Sequence, residues 1–253
     1  MENYQQNYIY FNNVIKSYGS EVVLNSLSFS IQKNDFVALI GNNGCGKTTT
    51  INIICNLIPY DDGIVEIFGS KLTPNFLSYK RDLGVVLSSP YLIEAFSIIE
   101  YLSFVGDFQF LQKEEIKNRS FDMIKLFELE EFETKKIGNL SSGNKMKVSL
   151  AAAMIHNPKV LILDEPFVNL DIKTQQILRE ILKSLKGKKT ILITSHNIDL
   201  VVDLSDHFLI MERGKLLLQI PFNKNVPLEE LKEKISCYLV TSDHSAGQID
   251  WLK

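Results

Sequence analysis

A glycine-rich segment carries the residue types that can hold phosphate groups. It runs GNNGCGKT from Gly41 to Thr48 and directly follows an apolar run, FVALI, at residues 36–40. Glycines let the backbone curl until several N–H groups point at one anion, and a helix that begins at the loop adds the positive end of its dipole. In this pattern Lys47 reaches the β- and γ-phosphates of a nucleotide, and the Thr48 hydroxyl ligates Mg²⁺. The residues predicted to contact the phosphates are Gly41, Asn42, Asn43, Gly44, Cys45, Gly46, Lys47, Thr48 and Thr49.

Two further apolar runs lead into side chains that can assist hydrolysis. Asp164 and Glu165 follow VLIL at residues 160–163, and His196 comes shortly after ILIT at residues 191–194. In open parallel sheets ligands bind in the crevice at the carboxyl ends of the strands, so these side chains are expected there. Asp164 can hold Mg²⁺, and Glu165 can polarise an attacking water. A lone histidine is more often structural, but the position of His196 at a strand end favours a contact to the γ-phosphate.

Apolar strands alternate with amphipathic helices, which predicts an α/β fold with a parallel core sheet. Short β-type runs in the first 35 residues predict an N-terminal antiparallel β part. Apolar residues at helical spacing predict a helix that follows the glycine loop and stops at Pro59, and a mostly helical region from about residue 91 to residue 157. The other predicted elements are strands at 8–11, 22–29, 65–68 and 84–87, a helix at 178–185, a hairpin at Arg213-Gly214 and a helix–strand segment after Pro227.

The composition excludes several classes of protein. The 253 residues carry 27 basic and 30 acidic side chains, a net charge of −3, so no basic field would attract nucleic acid. Cys45, Cys55 and Cys237 are too few and too scattered for a disulfide framework or a zinc site. No apolar stretch is long enough to span a membrane, and the N-terminus lacks the features of a signal peptide. We therefore expect a cytoplasmic protein without direct membrane insertion.

Four more segments resemble motifs of the ATP-binding cassette (ABC) ATPases. LSSGN at 140–144 resembles the family's LSGGQ signature, and Tyr18 in KSYG is similar to the aromatic residue that stacks on adenine. VNLD at 168–171 resembles the D-loop, and TSH at 194–196 resembles the histidine switch. With the glycine loop and the acidic pair, these motifs stand in the family's order. The resemblance implies a P-loop NTPase of the ABC ATPase type that uses ATP and Mg²⁺.

The resemblance also implies a domain organisation and a set of partners. An ABC ATPase domain would cover residues 5–220, with a helical subdomain inserted at about 91–157 and a C-terminal extension at 221–253. In the family, the signature and D-loop meet the ATP of an opposite subunit, which assigns Ser141, Gly143 and Asp171 to the nucleotide of a head-to-tail dimer. The leading function is to power a separate transmembrane permease, with an exporter favoured, from a peripheral position on the inner face of the cell membrane. Ser141 can also be a plain helix N-cap, and both roles can hold together.

Two positions depart from the family pattern. Ser142 replaces the first signature glycine, and Ser88, in LGVVLSSP, stands where the family has its Q-loop glutamine. Ser88 is expected to reach the shell of the Mg²⁺ ion through a bridging water and to support only slow hydrolysis. Cys45 is expected to pack inertly, although its place beside Lys47 could lower the pKa of its thiol.

Two alternative functions stay open at this point. One is an ABC ATPase with soluble partners and no permease, of the kind that serves iron–sulfur assembly. The other is a slow, ATP-sensing regulatory subunit, which the serine at position 88 would favour. The transported substrate is expected to be determined by the permease rather than by this chain.

Overall fold

The computed structural model describes residues 7–168 and 170–221, together with residues 229, 230, 232, 233 and 235. The strands, in chain order, are β1 (Asn7–Tyr18), β2 (Glu21–Gln32), β3 (Phe36–Ile40), β4 (Asp62–Ile67), β5 (Ser70–Lys71), β6 (Leu83–Val86), β7 (Val160–Asp164), β8 (Thr190–Ser195), β9 (His207–Glu212) and β10 (Lys215–Pro221). The helices are α1 (Lys47–Ile54), α2 (Ile98–Phe108), α3 (Lys113–Leu126), α4 (Ser142–Met154) and α5 (Ile172–Leu185). The predicted helix–strand segment after Pro227 and most of the predicted extension at 221–253 lie outside the described residues.

A six-stranded sheet occupies the centre, with the strand order β10-β9-β3-β8-β7-β6. The five strands from β9 to β6 are parallel, and β10 pairs antiparallel with β9 through the predicted hairpin at Arg213 and Gly214. Every residue of β3, β7 and β8 is buried. Strands covered on both faces need apolar side chains on both faces, which explains the continuous apolar runs in the sequence. The predicted α/β fold with a parallel core sheet is confirmed.

The N-terminal part is a four-stranded antiparallel sheet with the order β2-β1-β4-β5. Its first two strands have twelve residues each and are longer than the short runs expected at 8–11 and 22–29. Asn13 and Ser26, which interrupt the alternation, take left-handed backbone conformations with φ of 50° and 57°. Pairing between β1 and β2 continues across several register shifts. Residues that the sequence pattern suggests as turns are therefore accommodated within the strands as β-bulges.

Helix α1 is shorter than expected. It ends at Ile54, with Cys55 as its C-cap, rather than continuing to Pro59. Asn56 has a left-handed φ of 51°, which ends the helical path. Ile58 still packs partly buried against the same apolar cluster as α1, so the apolar spacing outlasts the helix.

Helices α2, α3 and α4 lie within the region predicted to be helical, and two buried apolar clusters hold them and the sheets together. One cluster contains residues of α2 to α5 and one face of the core sheet, and the other contains residues of α1, β1, β2 and the opposite face. Gly84 of β6 lies so close to the end of α4 that a Cβ there would stand 2.1 Å from the carbonyl oxygen of Ala153. No helix among the described residues is long and apolar enough to span a bilayer.

Candidate functional site

A cleft of about 540 Å³ lies at the carboxyl ends of β3, β7 and β8. This is the edge where ligands bind in open parallel sheets. It brings together residues from the glycine loop, the first strands and three later segments. The residues lining the cleft are Tyr18, Glu21, Val23, Asn43, Gly44, Gly46, Lys47, Thr48, Thr49, Ser88, Glu165, Val168 and His196.

The glycine loop connects β3 to α1 as the sequence predicts. Gly44 and Gly46 take left-handed conformations with φ of 79° and 110°, where a side chain would be strained. Gly41 is required for close packing, since a Cβ there would stand 2.3 Å from the carbonyl oxygen of Met211. The loop is also fixed by a hydrogen bond from the Gly214 N–H to the Cys45 carbonyl at 2.9 Å.

Lys47 is almost fully buried, and its ammonium group faces carbonyl and carboxylate oxygens. Nζ donates to the carbonyl of Gly41 at 2.7 Å and to that of Asn42 at 3.4 Å, and it lies 3.6 Å from Oε1 of Glu165. A buried cation needs such partners. Phosphate oxygens can take their place, because they supply the same negative charge and accept the same hydrogen bonds.

The surroundings of Cys45 disfavour a thiolate. Burial raises the pKa of its thiol, and the nearby Lys47 ammonium offsets this only in part. Its Sγ packs beneath Gly41, where an added Cβ would lie 2.5 Å away. The suggestion of a lowered thiol pKa is therefore wrong, and the inert packing expected for Cys45 fits its surroundings.

Asp164 is buried at the end of β7, and three hydroxyl groups donate to it. Thr48 Oγ1 and Ser88 Oγ both reach Oδ2, at 3.1 and 3.2 Å, while Thr194 Oγ1 reaches Oδ1 at 2.6 Å. The hydroxyl oxygens of Thr48 and Ser88 and Oδ2 of Asp164 thus form a group of three neighbouring oxygen atoms. Mg²⁺ prefers oxygen ligands and keeps several waters, so this set of donors fits that ion.

Glu165 and His196 face each other across the ends of β7 and β8. Nδ1 of His196 lies 3.0 Å from Oε2 of Glu165. The other oxygen, Oε1, is buried and has no hydrogen-bond partner among the described residues, although Lys47 is nearby. Buried polar atoms without partners are rare in folded proteins, and this one lines a cleft. Oε1 of Glu165 can therefore accept a hydrogen bond from a ligand such as water.

Tyr18 also lines the cleft and is 49% exposed. The ammonium of Lys16 lies 5.5 Å from its ring centre and is held by Asp61 at 3.0 Å. This leaves part of the ring open for stacking against a flat group. The sequence did not indicate Glu21 and Val23 as cleft residues, because their placement depends on the pairing of β1 with β2.

Ser141, Gly143 and Asp171 do not line this cleft in the described structure. Ser141 is the N-cap of α4 and accepts from the Asn144 N–H at 3.2 Å, while Gly143 lies in the first turn of that helix. Asp171 is the N-cap of α5, and hydrogen bonds from the backbone and hydroxyl of Thr174 lower the pKa of its carboxyl group. The structure shows their capping contacts within the chain.

Thr194 belongs to the TSH segment, but the sequence pattern assigned a role only to His196 within it. Thr194 ends an apolar run in which a threonine is an ordinary β-branched residue, so its type gave no signal. Its register pairing with Asp164 across β7 and β8 is what places the hydroxyl in the site. Only the knowledge that β7 and β8 are neighbours could have indicated it.

Comparisons with known protein families agree with this geometry. The family model described as "ABC transporter" matches residues 24–168, which is more than half of the chain. A second model, described as an AAA domain, matches residues 134–203. The first match includes the glycine loop, Ser88, the LSSGN segment and the acidic pair.

Individual relatives give the same result. The chain is 33% identical over 213 residues to the spermidine/putrescine import ATP-binding protein of Clostridium novyi, covering 83% of this chain and 61% of that protein. It is 32% identical to an uncharacterized ABC transporter ATP-binding protein of Methanocaldococcus jannaschii, covering 80% of this chain and 73% of that one. A solved dimer of a bacterial ABC transporter cassette superposes with a TM-score of 0.79 at 27% identity, covering 85% of this chain and 99% of that cassette. The chain thus spans about three fifths of the spermidine/putrescine relative. It belongs to the family of ABC transporter ATP-binding proteins.

Proposed function

We propose that this chain binds Mg·ATP in the cleft, hydrolyses it and thereby drives a separate transmembrane permease. The observation that carries the proposal is the convergence of one buried cation and two carboxylates on a single cleft. Nζ of Lys47 lies 3.6 Å from Oε1 of Glu165, and Oδ2 of Asp164 accepts hydrogen bonds from the hydroxyls of Thr48 and Ser88. A triphosphate, a divalent cation and a water to be activated need this combination of groups.

Phosphate binding is the task of the glycine loop. Its backbone N–H groups and the N-terminus of α1 attract the anion, and Lys47 exchanges the carbonyls of Gly41 and Asn42 for the β- and γ-phosphate oxygens. Tyr18, which lines the same cleft, would stack on the adenine ring. These contacts bind the nucleotide with its γ-phosphate directed towards Glu165.

The hydroxyl of Thr48 and the carboxylate of Asp164 would hold Mg²⁺, with Ser88 acting through a water. The ion would neutralise the negative charge that develops on the β- and γ-phosphate oxygens. The Asp164 carboxylate is oriented for this role, because its Oδ2 faces the hydroxyls of Thr48 and Ser88.

Glu165 would polarise the attacking water through Oε1, which has no hydrogen-bond partner among the described residues, and would accept a proton from that water as its oxygen attacks. A new bond forms between the water oxygen and the γ-phosphorus, and the bond from that phosphorus to the β,γ-bridging oxygen breaks, leaving ADP and phosphate. His196, hydrogen-bonded to Oε2, is close enough to the carboxylate to orient it and to contact a γ-phosphate oxygen. Such a contact stabilises the charge that develops on the γ-phosphate oxygen in the transition state.

A second copy of the chain would complete the site in a head-to-tail dimer. Ser141, Gly143 and Asp171 lie outside the cleft of their own chain, so their family role requires the nucleotide of another copy. The dimeric bacterial cassette with the same fold supports this arrangement. In such a dimer the N-terminus of α4, capped by Ser141, offers N–H groups to the γ-phosphate.

The permease partner places the chain at the inner face of the cell membrane in this proposal. The direction of transport is a separate matter. The expectation of an exporter rests on sequence resemblance alone, and the relative named above is an import protein. We propose energy coupling to a permease and assign no direction.

Nucleotide binding and phosphate release by the purified chain test the enzymatic part. Lys47→Ala should abolish binding of a fluorescent ATP analogue, because it removes the fixed cation that faces the β- and γ-phosphates. Lys33→Ala, which removes an exposed lysine outside the cleft, is the matched control and should bind as the parent does. Equal binding by Lys47→Ala and the parent would overturn the nucleotide site. Co-purification with an integral membrane protein tests the permease, and exclusively soluble partners would support the alternative without one.

A further inference from the structure

We propose that Thr194 is a positioning residue whose single hydroxyl holds both acidic residues of the site. The proposal rests on the proposed function, because it assigns Thr194 a role in the hydrolysis of Mg·ATP. Thr194 is fully buried at the end of β8, in register with Asp164 at the end of β7.

The Thr194 hydroxyl makes two hydrogen bonds of opposite sense. Oγ1 donates to Oδ1 of Asp164 at 2.6 Å and accepts from the backbone N–H of Glu165 at 2.9 Å. A hydroxyl has one proton to donate and two lone pairs to accept with, so both bonds can exist at once. Oγ1 of Thr194 is therefore bonded both to the side chain of Asp164 and to the backbone of Glu165.

The bond to Asp164 separates the roles of the two carboxylate oxygens. Thr194 occupies Oδ1, and the hydroxyls of Thr48 and Ser88 approach Oδ2 at 3.1 and 3.2 Å. Rotation of the carboxylate about its bond to Cβ would exchange these oxygens or point both away from the cleft. Thr194 blocks that rotation and keeps Oδ2 directed at the cation side of the site.

The bond to Glu165 fixes an unusual backbone turn. Glu165 has a left-handed φ of 49°, a region that residues other than glycine and asparagine seldom occupy. This turn directs the Glu165 side chain to its positions 3.6 Å from Lys47 and 3.0 Å from His196. With its N–H bonded to Thr194, the turn is held at the point where β7 ends.

Packing alone does not require a threonine at this position. The preceding residues of β8, Ile191 to Ile193, are fully buried and apolar, and valine has nearly the same shape as threonine. A valine would fill the space but would leave the Glu165 N–H and Oδ1 of Asp164 each without this partner. The hydroxyl, rather than the volume, is what the site uses.

The test compares Thr194→Val, which removes the hydroxyl, with Thr194→Ser, which keeps it. Groups that orient a metal-binding carboxylate typically contribute about 10- to 100-fold to metal affinity or activity. We expect Thr194→Val to lower kcat by about that factor and to weaken Mn²⁺ binding to the ATP complex, measured by electron paramagnetic resonance, in the same direction. Binding of a fluorescent ATP analogue in EDTA should be unchanged, because it depends on the glycine loop. Thr194→Ser should recover most of both losses.

Thr190→Val is the matched control, because it removes a fully buried hydroxyl from the same strand. Thr190 Oγ1 accepts from the Asn34 N–H at 2.8 Å, at the opposite end of β8 from the cleft. Thermal unfolding of all variants shows whether they are folded, and Thr190→Val should keep parent kcat and Mn²⁺ affinity. The proposal fails if Thr194→Val matches the parent, if Thr194→Ser is as impaired as Thr194→Val, or if Thr190→Val shows the same losses. An active parent with an unaffected Thr194→Val overturns the role of Thr194 alone, whereas a parent that does not bind ATP overturns the proposed function and this role with it.

Discussion

His196 and Glu165 are joined by a contact of 3.0 Å between Nδ1 and Oε2, at the open end of the core sheet. Oε1 of Glu165 is buried 3.6 Å from the ammonium of Lys47, and no residue in the described part of the chain forms a hydrogen bond with it. Oε2 of the Glu165 carboxylate is thus held by His196, and Oε1 is available to accept a hydrogen bond from a ligand. The first two predictions follow from this division.

Glu165→Gln should bind ATP and hydrolyse it slowly. The amide keeps the shape and the contact to His196 but cannot accept a proton from water, and loss of a general base typically costs about 10²- to 10⁴-fold in rate. Because hydrolysis would open the proposed dimer, the variant should accumulate as a dimer with ATP in size-exclusion chromatography. Glu66→Gln, on β4, should behave as the parent. Parent-rate phosphate release by Glu165→Gln would refute the assignment of the base.

His196→Ala should lower kcat far more than it raises the KM for ATP. The proposed contact matters mainly as charge develops on the γ-phosphate, and removal of one such donor typically costs about 10²- to 10³-fold in kcat. Steady-state kinetics across a range of ATP concentrations measures both constants. His207→Ala serves as the control, since His207 lies on β9 and faces Asp35 instead of the cleft. If both histidine variants retain parent kcat, the role of His196 is structural.

Ser88→Gln should raise the turnover of the isolated chain. The Ser88 hydroxyl reaches Oδ2 of Asp164 at 3.2 Å. Because its side chain is short, we expect it to position the water and the ion less well than a glutamine would. Loss of one well-placed contact costs about 10²-fold or more in rate, and the glutamine should recover part of it. Phosphate release at saturating Mg·ATP is the measurement. Ser70→Gln, at an exposed site on β5, should change nothing. A parent as fast as Ser88→Gln would mean that this loop does not limit the chemistry.

The N-terminus of α2 should make folding stability depend on pH in the acidic range. Hydrogen bonds from the Ser97 N–H, the Lys136 ammonium and the Ser97 hydroxyl lower the pKa of Glu100 from 4.5 to about 2. A carboxyl whose pKa is lower in the folded state stabilises the protein above its unfolded pKa, and this contribution is lost as the pH falls towards the folded value. Glu100→Ala should therefore unfold at lower urea concentration than the parent at neutral pH, and the gap should narrow as the pH falls below the unfolded pKa. A gap that stays constant over that range, or one equally present in Glu131→Ala, would contradict the assignment.

The candidate phosphate-binding groups could be identified from the sequence because their positions are local. Gly41 and Gly46 lie in the loop between β3 and α1, and Lys47 and Thr48 open α1, so their spacing along the chain determines their geometry. Asp164 could be placed at the same edge because all parallel strands end there.

Contacts between distant segments could not be predicted in the same way. Thr194 reaches Asp164 only because β8 lies between β3 and β7, and strand order depends on packing of the whole chain rather than on local pattern. The end of α1 shows a related limit. Its apolar spacing continues to Ile58 because that residue still packs in the core, although Asn56 has already ended the helix.

The position of β3 in the sheet has a consequence for hydrogen–deuterium exchange. β3 pairs on both sides, with β9 and β8, and its residues are buried in apolar clusters on both faces. We therefore expect its amides to exchange only in rare openings of the sheet, and α2 and α3, which cover one face of it, to open more readily. The strand that leads into Gly41 and the glycine loop is therefore expected to be among the last segments to exchange, and the helical region among the first.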